Sequence, residues 1–398
     1  MSLLAKQIET YMAGSSWIRK MFEQGMELKK TYGEENVYDF SLGNPDLSPP
    51  ESVGAALHGI ADDSSKPFAL GYMPNAGYPE AREALAAYLT KTQKEDIRAK
   101  DLLLTCGAAG AINVFFRTAL EPGDEVVCPA PYFVEYGFYA GNFGAELVPV
   151  KSREMTFELD IPAMEKAFTA KTRAVLVNSP NNPTGQVYSR EELEALAEIM
   201  RKHMVKTGRI IYLVSDEPYR FLNYDNLQLP SVFDIYKHSV IVGSFSKSLS
   251  LAGERIGYLA INPRIENAEQ LYNGAVMSNR ILGYVNAPAV AQKILTACIH
   301  AEVDVDIYRQ RRDAMAKVLD NAGIKYSLPR GAFYFFAKSP LVDDIEFVNL
   351  LLKENILAVP GTGFGYPGYF RLAFCIDKDV IERSGPGFKK AVEKIKQA

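Results

Sequence analysis

The residues best equipped for chemistry centre on Lys247, in Ser244-Phe-Ser246-Lys247-Ser248-Leu-Ser250-Leu-Ala-Gly-Glu-Arg255-Ile-Gly257. An apolar run, Ser239-Val-Ile-Val-Gly243, precedes this stretch, and another, Ile256 to Ile261, follows. The lysine is carried from a buried strand into a hydroxyl-rich turn, with an arginine eight positions later. Desolvating an ammonium lowers its pKa, and a neutral amine is what attacks a carbonyl to form a Schiff base. The spacing alone fits an ordinary solvated lysine past a strand end equally well. Its company must decide.

Three other strand ends supply that company. Thr105-Cys-Gly107-Ala108-Ala109-Gly-Ala111 lies between a strand pattern and a helical one. Small residues there permit close backbone approach, and a helix N-terminus offers free N–H groups to an anion, although tight helix-on-sheet packing would use the same residues. Asn178-Ser-Pro-Asn-Asn182-Pro-Thr-Gly185 follows an apolar run, and its prolines hold the Asn182 amide where it can donate a hydrogen bond. The run from Ile210 to Ser215 ends in Asp216, with Tyr219 three residues on. A carboxylate at a buried strand end needs a cationic or proton-donating partner. An anion cradle, an amide, a carboxylate, a phenol, an amine and an arginine together meet the needs of a phosphorylated pyridine aldehyde.

The elements that must position these groups are legible in the apolar pattern. Leu102–Thr105, Glu125–Cys128, Ala145–Val150, Arg173–Asn178, Arg209–Ser215, Ser239–Gly243 and Ile256–Ile261 read as strands, with helical patterns at Ala111–Leu120, Tyr136–Asn142 and Arg190–Lys206 between them. Continuously apolar strands imply a sheet covered by helices on both faces. The expected fold is α/β: a large domain, residues 46–299, with a mostly parallel seven-stranded sheet between helices. The site then belongs at the carboxyl ends of the strands. A smaller α+β domain is expected from both chain ends, 1–45 and 300–398. Its elements are a helix from Trp17 through Lys30 capped by Ser15-Ser16, the later part of a largely helical region that runs from Asn286 to about Leu319, strand-like 331–336 and 369–375, and helices at 344–354 and 385–396.

Composition narrows the function. A length of 398 residues favours two domains, and a net charge of −4 with pI near 5.8 gives no general attraction to nucleic acid or an anionic membrane. No apolar run approaches a membrane span, and Met1-Ser-Leu-Leu-Ala-Lys lacks a signal pattern, so a cytoplasmic location is expected. Four scattered cysteines and four histidines show no metal-ligand spacing and no Ser-His-Asp arrangement. The chemistry therefore points to a cofactor.

From Gly43-Asn-Pro-Asp46 to Arg371 the chain resembles a pyridoxal-phosphate-dependent aminotransferase of the class I and II family, fold type I. The Asn-Pro-Thr-Gly, Asp-x-x-Tyr and Ser-x-Ser-Lys…Arg motifs occur in the family's order and at family-like separations. The resemblance implies transfer of an amino group between an α-amino acid and a 2-oxo acid, with pyridoxal 5′-phosphate held as a Schiff base on Lys247. It implies that Asp216 pairs with the pyridine nitrogen and that Tyr219 and Asn182 hydrogen-bond the 3′-oxygen. The phosphate would rest on the Ala108 and Ala109 N–H groups, Ser244, Ser246 and Arg255. Phe133, in Pro129-Ala-Pro-Tyr-Phe-Val-Glu-Tyr136, matches the ring-stacking aromatic, with neighbouring Tyr132 the alternative. Arg371 would clamp the substrate carboxylate, aided by the Gly43 backbone. Tyr72 matches a tyrosine that reaches the neighbouring subunit's cofactor, implying a homodimer with shared sites.

Two departures stand out. Where aspartate-specific members carry a second arginine, this chain has Ile281, with Arg280 one residue off. The phosphate loop has alanines where many members use hydroxyl or basic side chains. Gly361-Thr-Gly-Phe-Gly365 lacks the strand-before, helix-after setting of a dinucleotide loop and reads as a loop shaping the substrate pocket. A β-lyase, decarboxylase or cyclopropane-forming synthase would keep the same cofactor residues. A cofactor-binding regulator would need an added basic domain, and a nicotinamide enzyme its glycine fingerprint.

Overall fold

The computed structural model describes residues 3–13 and 17–397. After a two-residue strand, β1 (Tyr38–Asp39), seven strands build one sheet. They are β2 (Leu102–Cys106), β3 (Glu125–Ala130), β4 (Glu146–Lys151), β5 (Thr172–Asn178), β6 (Tyr212–Asp216), β7 (Ser239–Ser244) and β8 (Ile256–Ile261). Their order is β2-β8-β7-β6-β5-β3-β4. Strands β3 to β7 run parallel to one another, and β8 is antiparallel to both β7 and β2. The mostly parallel seven-stranded sheet expected from the sequence is present, and each of the seven strand-like runs joins it.

Continuous apolarity in these strands follows from cover on both faces. In β5, Val175 and Val177 pack with Leu193, Leu196 and Met200 of the helix Arg190–Thr207, whereas Ala174 and Leu176 pack with Phe115 and Phe116 of the helix Gly107–Ala119. Alternate residues thus serve opposite cores. The helix over 190–207 begins at a reciprocal cap: Ser189 Oγ accepts from the Glu192 N–H at 3.1 Å, and Glu192 Oε2 accepts from the Ser189 N–H at 2.8 Å. It ends at Gly208, whose φ of +68° is the left-handed cap that glycine takes without strain.

Four further strands follow: β9 (Tyr334–Lys338), β10 (Ile356–Leu357), β11 (Val359–Pro360) and β12 (Tyr369–Ala373). They give an antiparallel sheet β11-β12-β9, while β10 pairs in parallel with β1. Early and late segments share one core, in which Met21 and Phe40 join Phe333, Phe347, Phe370 and Phe388.

Some elements differ from the sequence reading. The region from 286 to 319 is two helices, Ala289–Cys298 and Val305–Ala322, because Asp304 caps a fresh start by accepting from the Asp306 N–H at 2.8 Å. The strand expected at 331–336 begins only at Tyr334, since Gly331 instead bridges to Asn223. The helix Ala268–Ile281 was not evident in the pattern: its interior holds Asn273 and Gly274, both poor helix formers. The expected cap Ser15-Ser16 lies outside the described residues.

Candidate active site

Sheet register brings the separated motifs into one row. Asn178 at the end of β5 pairs with Asp216 at the end of β6, Asp216 pairs with Val242 of β7, and Ser244 pairs with Gly257 of β8, which in turn pairs with Thr105 of β2. A cavity of about 280 Å³ opens there, lined by Gly43, Ala108, Ala109, Phe133, Asn182, Asp216, Tyr219, Ser244, Ser246, Lys247, Arg255 and Arg371. Twelve of the thirteen residues singled out from the sequence therefore meet at one site. The thirteenth, Tyr72, is 96% exposed and lies away from this chain's cavity. A larger cleft, about 1000 Å³, opens between residues 88–95 and 217–231, but of the thirteen it touches only Ser244.

Lys247 is partly buried, and its Nζ donates to the Gly43 carbonyl at 2.6 Å and lies 5.6 Å over the Phe333 ring. Desolvation lowers its pKa to about 8; Cys375 opposes that shift, and Arg255 and Arg371 reinforce it. The amine is thereby brought close to neutrality near physiological pH.

Asp216 is 6% exposed. Its Oδ2 accepts from the Tyr136 hydroxyl at 2.6 Å, while Oδ1 is buried without a partner. Burial raises this carboxyl to about pH 7, the Tyr136 hydrogen bond opposes the rise, and Glu217 adds to it. The main chain at Asp216 is held by Asn178, whose Nδ2 donates to its carbonyl at 2.8 Å.

Arg371, on β12, is 2% exposed and sandwiched, its Cζ lying 4.8 Å from the Tyr334 ring and 4.9 Å from that of Phe364. Its Nη1 donates to Asn182 Oδ1 at 3.1 Å and its Nη2 to the Ser41 carbonyl, while Nε has no partner. Asn182 thus spends its oxygen on Arg371 and keeps Nδ2 free to donate into the cavity. The Tyr219 and Tyr334 hydroxyls are 2.9 Å apart. Phe364 belongs to the turn Gly361–Phe364, so the glycine loop does border the arginine.

The anion cradle has a specific shape. Gly107 takes a φ of +73°, and a Cβ on it would lie 2.5 Å from Arg255 Nη2. The guanidinium therefore lies against the N-terminus of the helix that begins Gly107-Ala108-Ala109, an arrangement suited to a phosphate. Phe133, not Tyr132, lines the cavity; the Tyr132 N–H donates to the Phe364 carbonyl at 3.2 Å and its ring faces Gly365.

These groups fit pyridoxal 5′-phosphate. A buried carboxylate oxygen seldom stays unpaired, and Asp216 Oδ1 wants the N–H of a pyridinium. An amine near neutrality, a cradle for a dianion and a buried guanidinium for a carboxylate complete the set. Sequence reasoning missed three contributors. Tyr136 was in view three residues after Phe133, Asn178 stood at the head of its turn, and Tyr334 was hidden in an apolar strand whose alternation puts it toward the cavity. Ile281 is 55% exposed, and its neighbour Arg280 donates to the sulfur of Met277 on the same helix.

The sequence profile of the family described as aminotransferase class I and II matches residues 35–384. The aspartate/prephenate aminotransferase of Thermus thermophilus is 32% identical over 359 residues, covering 88% of this chain and 90% of that one. The aspartate aminotransferase of Thermotoga maritima is 32% identical over 346 residues, covering 85% and 87%. An amino transferase from Eubacterium rectale superposes with a TM-score of 0.95 at 36% identity, over 99% of both chains.

Proposed function

We propose roles for the site residues on the premise that this chain belongs to the class I and II aminotransferase family. It is a pyridoxal-phosphate-dependent enzyme that moves an amino group between an α-amino acid and a 2-oxo acid. Family membership supports amino transfer over the β-lyase alternative. When bound, the cofactor supplies an aldehyde carbon that condenses with amines and a ring that takes up the electron pair left at Cα.

Lys247 Nζ would anchor the cofactor and, when its amine is free, would hold the proton that moves between the substrate Cα and C4′. A pKa of about 8 suits that base, since an appreciable fraction is neutral near pH 7. Asp216 Oδ1 would accept a hydrogen bond from the protonated ring nitrogen, with Tyr136 holding Oδ2 so that the carboxylate cannot turn away. Tyr219 and the free Nδ2 of Asn182 donate to the 3′-oxygen, and Phe133 stacks on the ring. The Ala108 and Ala109 N–H groups, Ser244, Ser246 and Arg255 hold the phosphate. Arg371 grips the substrate carboxylate in company with the Gly43 backbone.

The carrying observation is that Lys247, the unpartnered Oδ1 of Asp216 and the buried Arg371 line one cavity. Borohydride reduction of the cofactor-loaded protein, followed by peptide mapping, tests it. A cofactor adduct on Lys247 is expected; an adduct elsewhere, or none in saturated protein, overturns the assignment.

The reading extends to a homodimer with shared sites, in which Tyr72 reaches the phosphate of the partner's cofactor. Supporting it, Phe68, Leu70 and Tyr72 expose large apolar surfaces on one short segment, at 93%, 51% and 96%. In an equal mixture of Lys247→Ala and Tyr72→Ala subunits, half the dimers are hybrids with one intact site, so recovery of about a quarter of wild-type activity is expected. Additive residual activity alone would refute sharing. We also assign residues 46–299 to the cofactor-binding domain and 1–45 with 300–398 to the smaller one. A cytoplasmic location is in keeping with four free cysteines. No described helix is long and apolar enough to cross a membrane.

A further inference from the structure

We propose that Tyr334 is a positioning residue that directs the Tyr219 hydroxyl into the cavity and ties it to the substrate clamp. The inference rests on Tyr219 facing a cofactor in this cavity. Tyr334 stands on β9, opposite Ala373 of β12, and is 2% exposed. Its hydroxyl lies 2.9 Å from that of Tyr219. The face of its ring lies 4.8 Å from the Arg371 guanidinium. Its hydroxyl also presses on Gly43 so closely that a Cβ there would sit 2.0 Å away, and the Gly43 carbonyl is the acceptor for Lys247. One phenol touches the immediate company of the cofactor's hydrogen-bond donor, its amine and the substrate's arginine.

The two hydroxyls share a single hydrogen bond, so only one proton lies between them, and the other must point elsewhere. Burial pushes both phenols above their ordinary range, Tyr334 to about 12, so both protons are present at neutral pH. If Tyr219 donates to Tyr334, the Tyr219 proton is spent and only its lone pair faces the cavity. If Tyr334 donates to Tyr219, the Tyr219 proton is free to enter the cavity. An anionic aryl oxygen on the cofactor is an acceptor, so it selects the second arrangement. The Arg371 guanidinium, 4.8 Å from the face of the Tyr334 ring, lowers that phenol's pKa against its burial, which favours donation from Tyr334. A phenol that accepts one hydrogen bond also donates a stronger one, so the relay sharpens the hold of Tyr219 on the cofactor.

The test is Tyr334→Phe in the pyridoxal-phosphate-loaded enzyme, which keeps the ring beneath Arg371 and removes only the hydroxyl. The readout is the pH midpoint of the cofactor's visible absorption. Weaker donation from Tyr219 leaves more negative charge on the aryl oxygen, which holds the titrating proton more tightly. The midpoint is expected to rise by about half a unit to one unit. The same substitution in a Tyr219→Phe background should add nothing, because the effect runs through Tyr219. A Tyr334→Phe titration superimposing on wild type, or a shift that persists undiminished without the Tyr219 hydroxyl, overturns the inference. A wild-type band that does not titrate, or one retained by Lys247→Ala, overturns the cofactor reading on which it rests.

Discussion

Asp216→Asn separates what the buried carboxylate costs the empty protein from what it gives the loaded one. Asp216 rises from an ordinary 3.8 to about 7 because burial disfavours its charge and Oδ1 has no partner. Below pH 4 the carboxyl is protonated in folded and unfolded chains alike, and it costs nothing. Between pH 4 and 7 the unfolded chain ionises while the folded one does not, so stability falls as pH rises. Above pH 7 the full cost stands. Three pH units at 1.36 kcal/mol each come to about 4 kcal/mol. Asparagine keeps an oxygen for the Tyr136 hydroxyl and carries no charge, so the cofactor-free variant escapes this penalty. At roughly 2 cal/mol/K of unfolding entropy per residue, 4 kcal/mol corresponds to about 5 °C for a chain of this length. Cofactor-free wild type and Asp216→Asn should therefore melt together near pH 4 and diverge by about 5 °C at pH 8, the variant melting higher. In the loaded enzyme the order of merit reverses. Lys247 and the phosphate cradle still retain the cofactor, but the rate falls by at least about 100-fold without the carboxylate at the ring nitrogen. Melting curves of both forms across this pH range, with turnover measured alongside, decide the matter. Equal melting of the two empty proteins at pH 8, or equal rates when loaded, would refute the reasoning.

Two further outcomes follow from the same geometry. In the cofactor-free protein, trace acylation read by mass spectrometry should show Lys247 reacting with a midpoint near pH 8, whereas ordinary lysines titrate near 10.4; a Lys247 midpoint above 10 would contradict the desolvation and the two nearby arginine charges that lower it. Gly43→Ala would put a Cβ 2.0 Å from the Tyr334 hydroxyl and 2.8 Å from its Cζ, so the phenol must move off Tyr219. Overpacking of this kind should cost about 1–3 kcal/mol in a urea titration and lower kcat/KM together with it; an alanine variant matching wild type in both would show that the contact is not tight.

How much of this was legible in the sequence depended on whether a residue announced itself against its neighbours. Asp216 terminates an apolar run, and Lys247 and Asn182 sit in the polar turns that follow one, where a polar group at a strand end invites a reason. Tyr136 and Tyr334 gave no such signal. A tyrosine in Gly331-Ala-Phe-Tyr-Phe-Phe336 reads as one more aromatic, and only the strand's alternation, with its start at 334, turns its hydroxyl toward Tyr219. Helix boundaries were likewise set by caps, such as Asp304, that an apolar stripe does not reveal.

The distances along the chain matter less than the register of the sheet. Asn178, Asp216 and Lys247 are separated by tens of residues, yet successive ladder pairs place the ends of β5, β6 and β7 side by side. The antiparallel strand β8 then returns Arg255, at its leading end, to the same edge where β2 releases Gly107. Had β8 been parallel, its opposite end would meet that edge and Arg255 would lie a strand's length away. A one-residue slip of β6 against β5 would turn Asp216 to the other face of the sheet, away from Tyr136 and the cavity. The apolar residues that pin the register, Ala174 and Leu176 against one core and Val175 and Val177 against the other, therefore aim the carboxylate as directly as its own hydrogen bond does.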